Sequence, residues 1–140
     1  MRQIGLLVHQ TRVASHPTSN FATRLPTQKS RATNLSVSGT SAINANITTT
    51  GTQGYTGNAT LGADVSLQTT NNNITFSGTL NSATSARALT ISAGTGTVTF
   101  TGAVGVTLAL GATSITAASV VHSSTLVGNS TYAITGNATF

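Results

Sequence analysis

Residues 65–80 read VSLQTTNNNITFSGTL and residues 89–104 read LTISAGTGTVTFTGAV. At an offset of 24 residues they agree in kind at six positions without a gap: Val65, Leu67, Ile74, Phe76, Gly78 and Leu80 recur as Leu89, Ile91, Val98, Phe100, Gly102 and Val104. Within each stretch the apolar residues come two apart. That is strand period, because successive side chains of an extended chain point to opposite faces. Thr and Ser fill the positions between, and β-branched Thr itself favours extended backbone. Residues 70–73 and 93–96 hold Asn and Gly, which supply the backbone angles a corner needs. Each unit therefore reads strand, corner, strand, Gly bend, strand.

A unit this short buries its apolar face only by stacking on the next copy, and periods of about 20 to 50 residues mark solenoids. The spacing predicts an all-β chain folded as a β-solenoid. Its repeating core is Val65, Leu67, Ile74, Phe76, Leu80, Leu89, Ile91, Val98, Phe100 and Val104. Apolar pairs two apart also occur at Leu35/Val37 and Leu108/Leu110. A looser copy of the Phe-Ser/Thr-Gly element appears at Tyr55-Thr56-Gly57 and at Ile134-Thr135-Gly136, so the period drifts. At one coil per 24 residues, residues 35–140 make about four coils, and open ends without a capping helix suggest a slice of a larger parent protein.

Composition changes near Asn34. Residues 1–34 hold five of the six basic residues, both prolines, and His9 and His16. They show no apolar period, and low hydrophobicity with unbalanced charge does not offset the entropy of ordering. The expected organisation is a disordered basic leader over 1–34 and a solenoid repeat region over 35–140. No proline interrupts that region, as suits sheet.

The same distribution limits function. The net charge of +5 sits in the leader, and the body carries only Asp64 and Arg87, so there is no basic face for nucleic acid. Charged residues are 5% of the chain against about a quarter in ordinary domains. One carboxylate side chain cannot supply paired acid–base groups, so an enzyme is not expected. No cysteine is present, and no apolar run has the length of a membrane-spanning helix. Aromatic residues at 4% are too few for the girdles of an outer-membrane barrel.

Several elements between Ile47 and Val104 carry a family likeness: TGTQGYTG at 50–57, ATLGADVSL at 59–67, ITFSGTL at 74–80, RALTI at 87–91 and GTVTFTGAVG at 96–105. The run resembles the repeats of filamentous-haemagglutinin-like and autotransporter-like bacterial surface adhesins. The resemblance implies a right-handed parallel β-helix, exported to the cell surface. There it would be a structural shaft segment whose partners are neighbouring repeats of the parent protein. The family's secretion domain and outer-membrane anchor are not recognisable in these residues.

Candidate sites are few. Asp64 aligns with Ala88 in the 24-residue register, which would bring it beside Arg87 as an exposed ion pair. His122, among Val120, Val121 and Ser123, reads as a surface or corner histidine, because a metal needs three or four convergent ligands; no cofactor is expected. Thr95, Thr97, Thr99 and Thr101 alternate as in the Thr arrays of ice-binding solenoids, but the preceding coil holds Asn71, Asn73, Thr75 and Ser77. Six Asn-x-Ser/Thr sequons, at Asn34, Asn46, Asn58, Asn73, Asn129 and Asn137, follow from composition. Two rival readings remain: a carbohydrate or host-surface binding module using Tyr55 and Tyr132, and a self-assembling β-fibre joined through open sheet ends.

Overall fold

The computed structural model describes residues 31–140, all strand and connection. The chain turns through three short strands in each of its first three coils and two strands per coil thereafter. The first coil comprises β1 (Arg31–Ala32), β2 (Leu35–Val37) and β3 (Ser41–Ile43), and the second β4 (Ile47–Thr49), β5 (Gln53–Tyr55) and β6 (Ala59–Leu61). β7 (Val65–Gln68), β8 (Ile74–Phe76) and β9 (Leu80–Ser82) make the third, and β10 (Leu89–Ser92) and β11 (Thr97–Phe100) belong to the fourth. β12 (Leu110–Ala117), β13 (Ser119–His122), β14 (Gly128–Ile134) and β15 (Ala138–Thr139) follow.

Equivalent strands stack into three parallel sheets: β1-β4-β7-β10-β12-β14, β2-β5-β8-β11-β13-β15 and β3-β6-β9. The third sheet continues as single bridges from Leu80 to Val104 and from Val104 to Leu126. The architecture is a β-solenoid of about 5 turns. The 24-residue repeat is the physical stack, since Leu89 pairs with Val65, Ile91 with Leu67, Val98 with Ile74 and Phe100 with Phe76. All ten repeat residues are buried, none above 4% exposure.

Coil length accounts for the extra turn. Along the second sheet Leu35, Gln53, Ile74, Val98, Val120 and Ala138 occupy one row, at steps of 18, 21, 24, 22 and 18 residues. The middle coils are long because loops such as 83–86, exposed between β9 and β10, are inserted at corners. Strand rows are held in register by backbone pairing, whereas corners tolerate added residues.

Three sequence assignments are corrected. Arg31 and Ala32, placed in the leader, form β1 and pair with Thr48 and Thr49; the leader's residues 1–30 lie outside the described residues. Leu108/Leu110 is not an inward pair: Leu108 is half-buried, and β12 fills the core with Thr113, Ile115 and Ala117, with Thr113 and Ile115 facing Leu89 and Ile91. Ile134-Thr135-Gly136 does not continue the Phe-Ser/Thr-Gly row, because Ile134 pairs with Ala117 in the first sheet. Tyr55-Thr56-Gly57 does continue it, with Tyr55 opposite Phe76.

One corner shows how local chemistry shapes the turn. Asn71 and Gly94 both adopt left-handed backbone, φ 58° and 60°, one coil apart. Asn tolerates this conformation through local hydrogen bonding and Gly through lack of a Cβ. The pairing is also steric, because a Cβ on Gly94 would collide with Asn71 Oδ1.

Candidate functional site

Asn and Asp side chains at the corners form a system of inter-coil bonds. Thr52 N–H donates to Asn34 Oδ1 at 2.9 Å, Ser66 N–H to Asn46 Oδ1 at 2.7 Å and Thr79 N–H to Asn58 Oδ1 at 3.1 Å. Higher up, Ala88 N–H donates to Asp64 Oδ1 at 3.0 Å, Thr95 N–H to Asn71 Oδ1 at 3.2 Å and Thr97 N–H to Asn73 Oδ1 at 2.9 Å. Asn81 Oδ1 accepts from Thr107 N–H at 2.9 Å. Each bond satisfies an amide at a corner where the ladder between strands is interrupted. Asn34, Asn46, Asn58 and Asn73 are sequon residues, so four of the six sequons mark structural corners.

Asp64 thus lies beneath Ala88, in the predicted register, but the bond its carboxylate makes is to the Ala88 amide rather than to Arg87. The Arg87 backbone N–H donates to Ser82 Oγ at 2.9 Å.

The most distinctive side chains are inside. Tyr55, Phe76, Phe100, His122 and Phe140 stack ring on ring, with centroid separations of 4.7, 5.4, 4.6 and 5.5 Å and interplanar angles from 4° to 18°. His122 is 5% exposed. This overturns its reading as a surface or corner residue: the row needs a flat ring opposite Phe100, and imidazole supplies one. Burial lowers its pKa below the ordinary 6.5 by penalising the charged form.

Tyr55 is 1% exposed, so it offers no stacking platform for a sugar. Its hydroxyl donates to Gln53 Oε1 at 3.1 Å, while Gln53 Nε2 donates to Gln68 O at 2.9 Å and Thr49 Oγ1 at 3.3 Å. Burial raises the Tyr55 pKa well above its usual value. Gln53 occupies the row filled elsewhere by Leu35, Ile74 and Val98. The sequence reading missed it because apolar periodicity does not register a polar residue whose partners lie within the core.

Outside, the second sheet carries Thr and Ser. Ser38, Thr56, Ser77, Thr101 and Ser123 are all exposed and follow the ring row in successive coils. The next row inward along the strands is irregular, with Thr75 and Thr99 set between Gly54 and Val121. Among the described residues no three His, Cys, Asp or Glu side chains converge, and no helix is long and apolar enough to cross a membrane. The chain matches no protein-family model, no curated protein and no solved structure at a significant level.

Proposed function

We propose that residues 31–140 serve as a structural shaft segment of an exported, adhesin-like surface repeat protein, without catalytic activity. One observation supports this reading above others: the chemically distinctive side chains face the next coil or the interior. The corner amides hold Asn and Asp, the rings stack on rings, and Gln53 is enclosed. A chain organised this way transmits position along its axis and leaves a nearly uncharged Thr/Ser exterior to water. The burial of Tyr55 removes one of the two tyrosines on which sugar binding would rest and favours the shaft over the carbohydrate module.

Antibodies raised against the folded chain provide the test in cells of the source organism. Labelling of intact, unpermeabilised cells is expected. Labelling that appears only after lysis would refute the surface assignment, and filaments without any cell attachment would favour the fibre reading.

A further inference from the structure

At the 24-residue offset Leu80-Asn81-Ser82, which is β9, aligns with Val104-Gly105-Val106. Strand alternation would carry Val106 inward as the next rung of the third sheet. It does not. Gly105 adopts left-handed backbone, φ 74°, which turns the chain out after Val104, and Val106 is 56% exposed. Below this point the third sheet is a full ladder: Ser41, Ala42 and Ile43 pair with Ala59, Thr60 and Leu61, and these with Leu80, Asn81 and Ser82. Above β9 it is reduced to the single bridges Leu80 to Val104 and Val104 to Leu126. Across the same coils the other two sheets keep continuous pairing, Leu89–Ser92 with Thr113–Thr116 and Thr97–Phe100 with Ser119–His122.

Packing on this face thins with the ladder. In the third coil Leu80 and Ser82 are both buried, whereas in the fourth Val104 is the apolar side chain that remains buried, and in the fifth Leu126 is half-buried and Val127 42% exposed. Residues 105–108 are fastened to the third coil by Gly105 N–H to Leu80 O at 2.7 Å, Thr107 N–H to Asn81 Oδ1 at 2.9 Å and Ser82 N–H to Leu108 O at 3.1 Å. The fifth coil is fastened in turn by Val127 N–H to Val104 O at 2.8 Å, and Val104 N–H donates to Thr125 O at 2.8 Å.

We propose that this face is a hinge: residues 103–109 and 124–127 part from the coils beneath them while the first and second sheets stay stacked. Local opening is drawn from segments with few buried apolar contacts and isolated hydrogen bonds, and here both conditions meet on one side of the solenoid. A single bridge has no neighbouring rungs to hold it closed, whereas a strand of the first or second sheet opens only with the rest of its ladder. With one of three faces released, the upper coils tilt about the two continuous sheets, away from the third face. The functional meaning rests on the shaft reading, since a shaft with one weak face bends in one direction under load without unravelling.

The test is native-state amide hydrogen exchange on the full chain, corrected for intrinsic rates and read by NMR. It compares amides of one coil that donate to the coil below on different faces. Gly105 N–H bonds to Leu80 O and Thr101 N–H to Phe76 O; Val127 N–H bonds to Val104 O, and Ala118 and Ser123 N–H to Gly96 O and Phe100 O. Gly105 and Val127 are expected to exchange about tenfold or more faster than Thr101, Ala118 and Ser123. Equal protection on the three faces overturns the proposal. So does equally fast exchange at Ala118, Ser123 and Val127, which would mean that the fifth coil comes away whole. Gly105→Ala places a Cβ against Val127 O in a backbone conformation that favours glycine. It should speed exchange at Val127 and Thr107 by roughly a further tenfold and leave Thr101 within about twofold; a uniform increase over all coils overturns the hinge. The comparison within the unsubstituted chain stands whether or not the variant folds, and it is unaffected by the outcome of surface labelling, which bears on the shaft reading alone.

Discussion

Adding one methyl group at Gly78 tests the stacking geometry directly. A Cβ there would lie 2.5 Å from Gly57 O, 2.6 Å from Gly57 C and 2.8 Å from Asn58 N. All three are backbone atoms of the coil beneath, so no side chain can rotate away. An ordinary carbon–oxygen contact is about 3.3 Å or more, so the coils must separate locally by roughly 0.8 Å. The flanking bonds, Ser77 N–H to Tyr55 O at 2.8 Å and Thr79 N–H to Asn58 Oδ1 at 3.1 Å, would stretch past the hydrogen-bond limit. Two lost bonds at about 1 kcal/mol each, plus loosened ring packing, give a destabilisation of about 2–4 kcal/mol for Gly78→Ala.

Gly54→Ala is the control. The nearest heavy atom to its added Cβ is Leu35 O at 3.9 Å, an ordinary contact. Glycine inside a strand is less stable than alanine by about 0.5–1 kcal/mol, so this change should stabilise by roughly 0.5 kcal/mol. Urea titrations of the full chain, followed by far-UV circular dichroism, would compare the midpoints. Opposite shifts are expected. A Gly78→Ala midpoint within error of the Gly54→Ala midpoint would refute the close-stacking argument.

Other substitutions separate the remaining contributions. Gln53→Ile matches the rest of its row yet leaves Tyr55 Oη without its partner and removes the side-chain bond to Gln68 O; it should cost about 1–3 kcal/mol in thermal denaturation, and adding Tyr55→Phe should recover part of that in a double-mutant cycle. Asn73→Ala strips the acceptor from Thr97 N–H and should cost about 1 kcal/mol, with Asn73→Asp closer to the starting stability by the same urea assay. Phe76→Ala opens the ring row between Tyr55 and Phe100 and should lower stability by about 3–5 kcal/mol, several times the effect of one corner amide.

The third and fourth coils are readable without a structure because the inward rows of their first two strands are fully apolar and their lengths match: Val65 to Leu89 and Phe76 to Phe100 repeat at one interval. Elsewhere legibility fails for identifiable reasons. Ser41 and Ala59 line the interior of the third sheet, too small or too polar to register as apolar period. Thr113 takes a core position with its hydroxyl donating to Gly111 O at 3.3 Å, which hides β12 from any count of hydrophobic pairs. His122 and Gln53 are polar by type but enclosed by their neighbours. The corner bonds left a signal that sequon counting obscured: Asn34, Asn46, Asn58, Asp64 and Asn73 each directly precede the first inward residue of a strand. That position, not the Ser or Thr two residues on, is what Asn serves there.

These devices answer different registration problems. A slip of one residue between coils turns inward residues outward, and burial of a Leu, Ile or Phe side chain, about 1.5–3 kcal/mol each, opposes it strongly. A slip of two residues keeps every apolar side chain facing in, so the hydrophobic rows alone resist it poorly. It would, however, set Phe76 or Leu80 over Gly57 in place of Gly78, driving a Cβ against the Gly57 carbonyl, and would part Asn58 from the Thr79 amide. The apolar rows therefore select the face, while the Gly stack and the Asn corners select the register. This explains why corners can lengthen and shorten freely from coil to coil without the rows losing alignment.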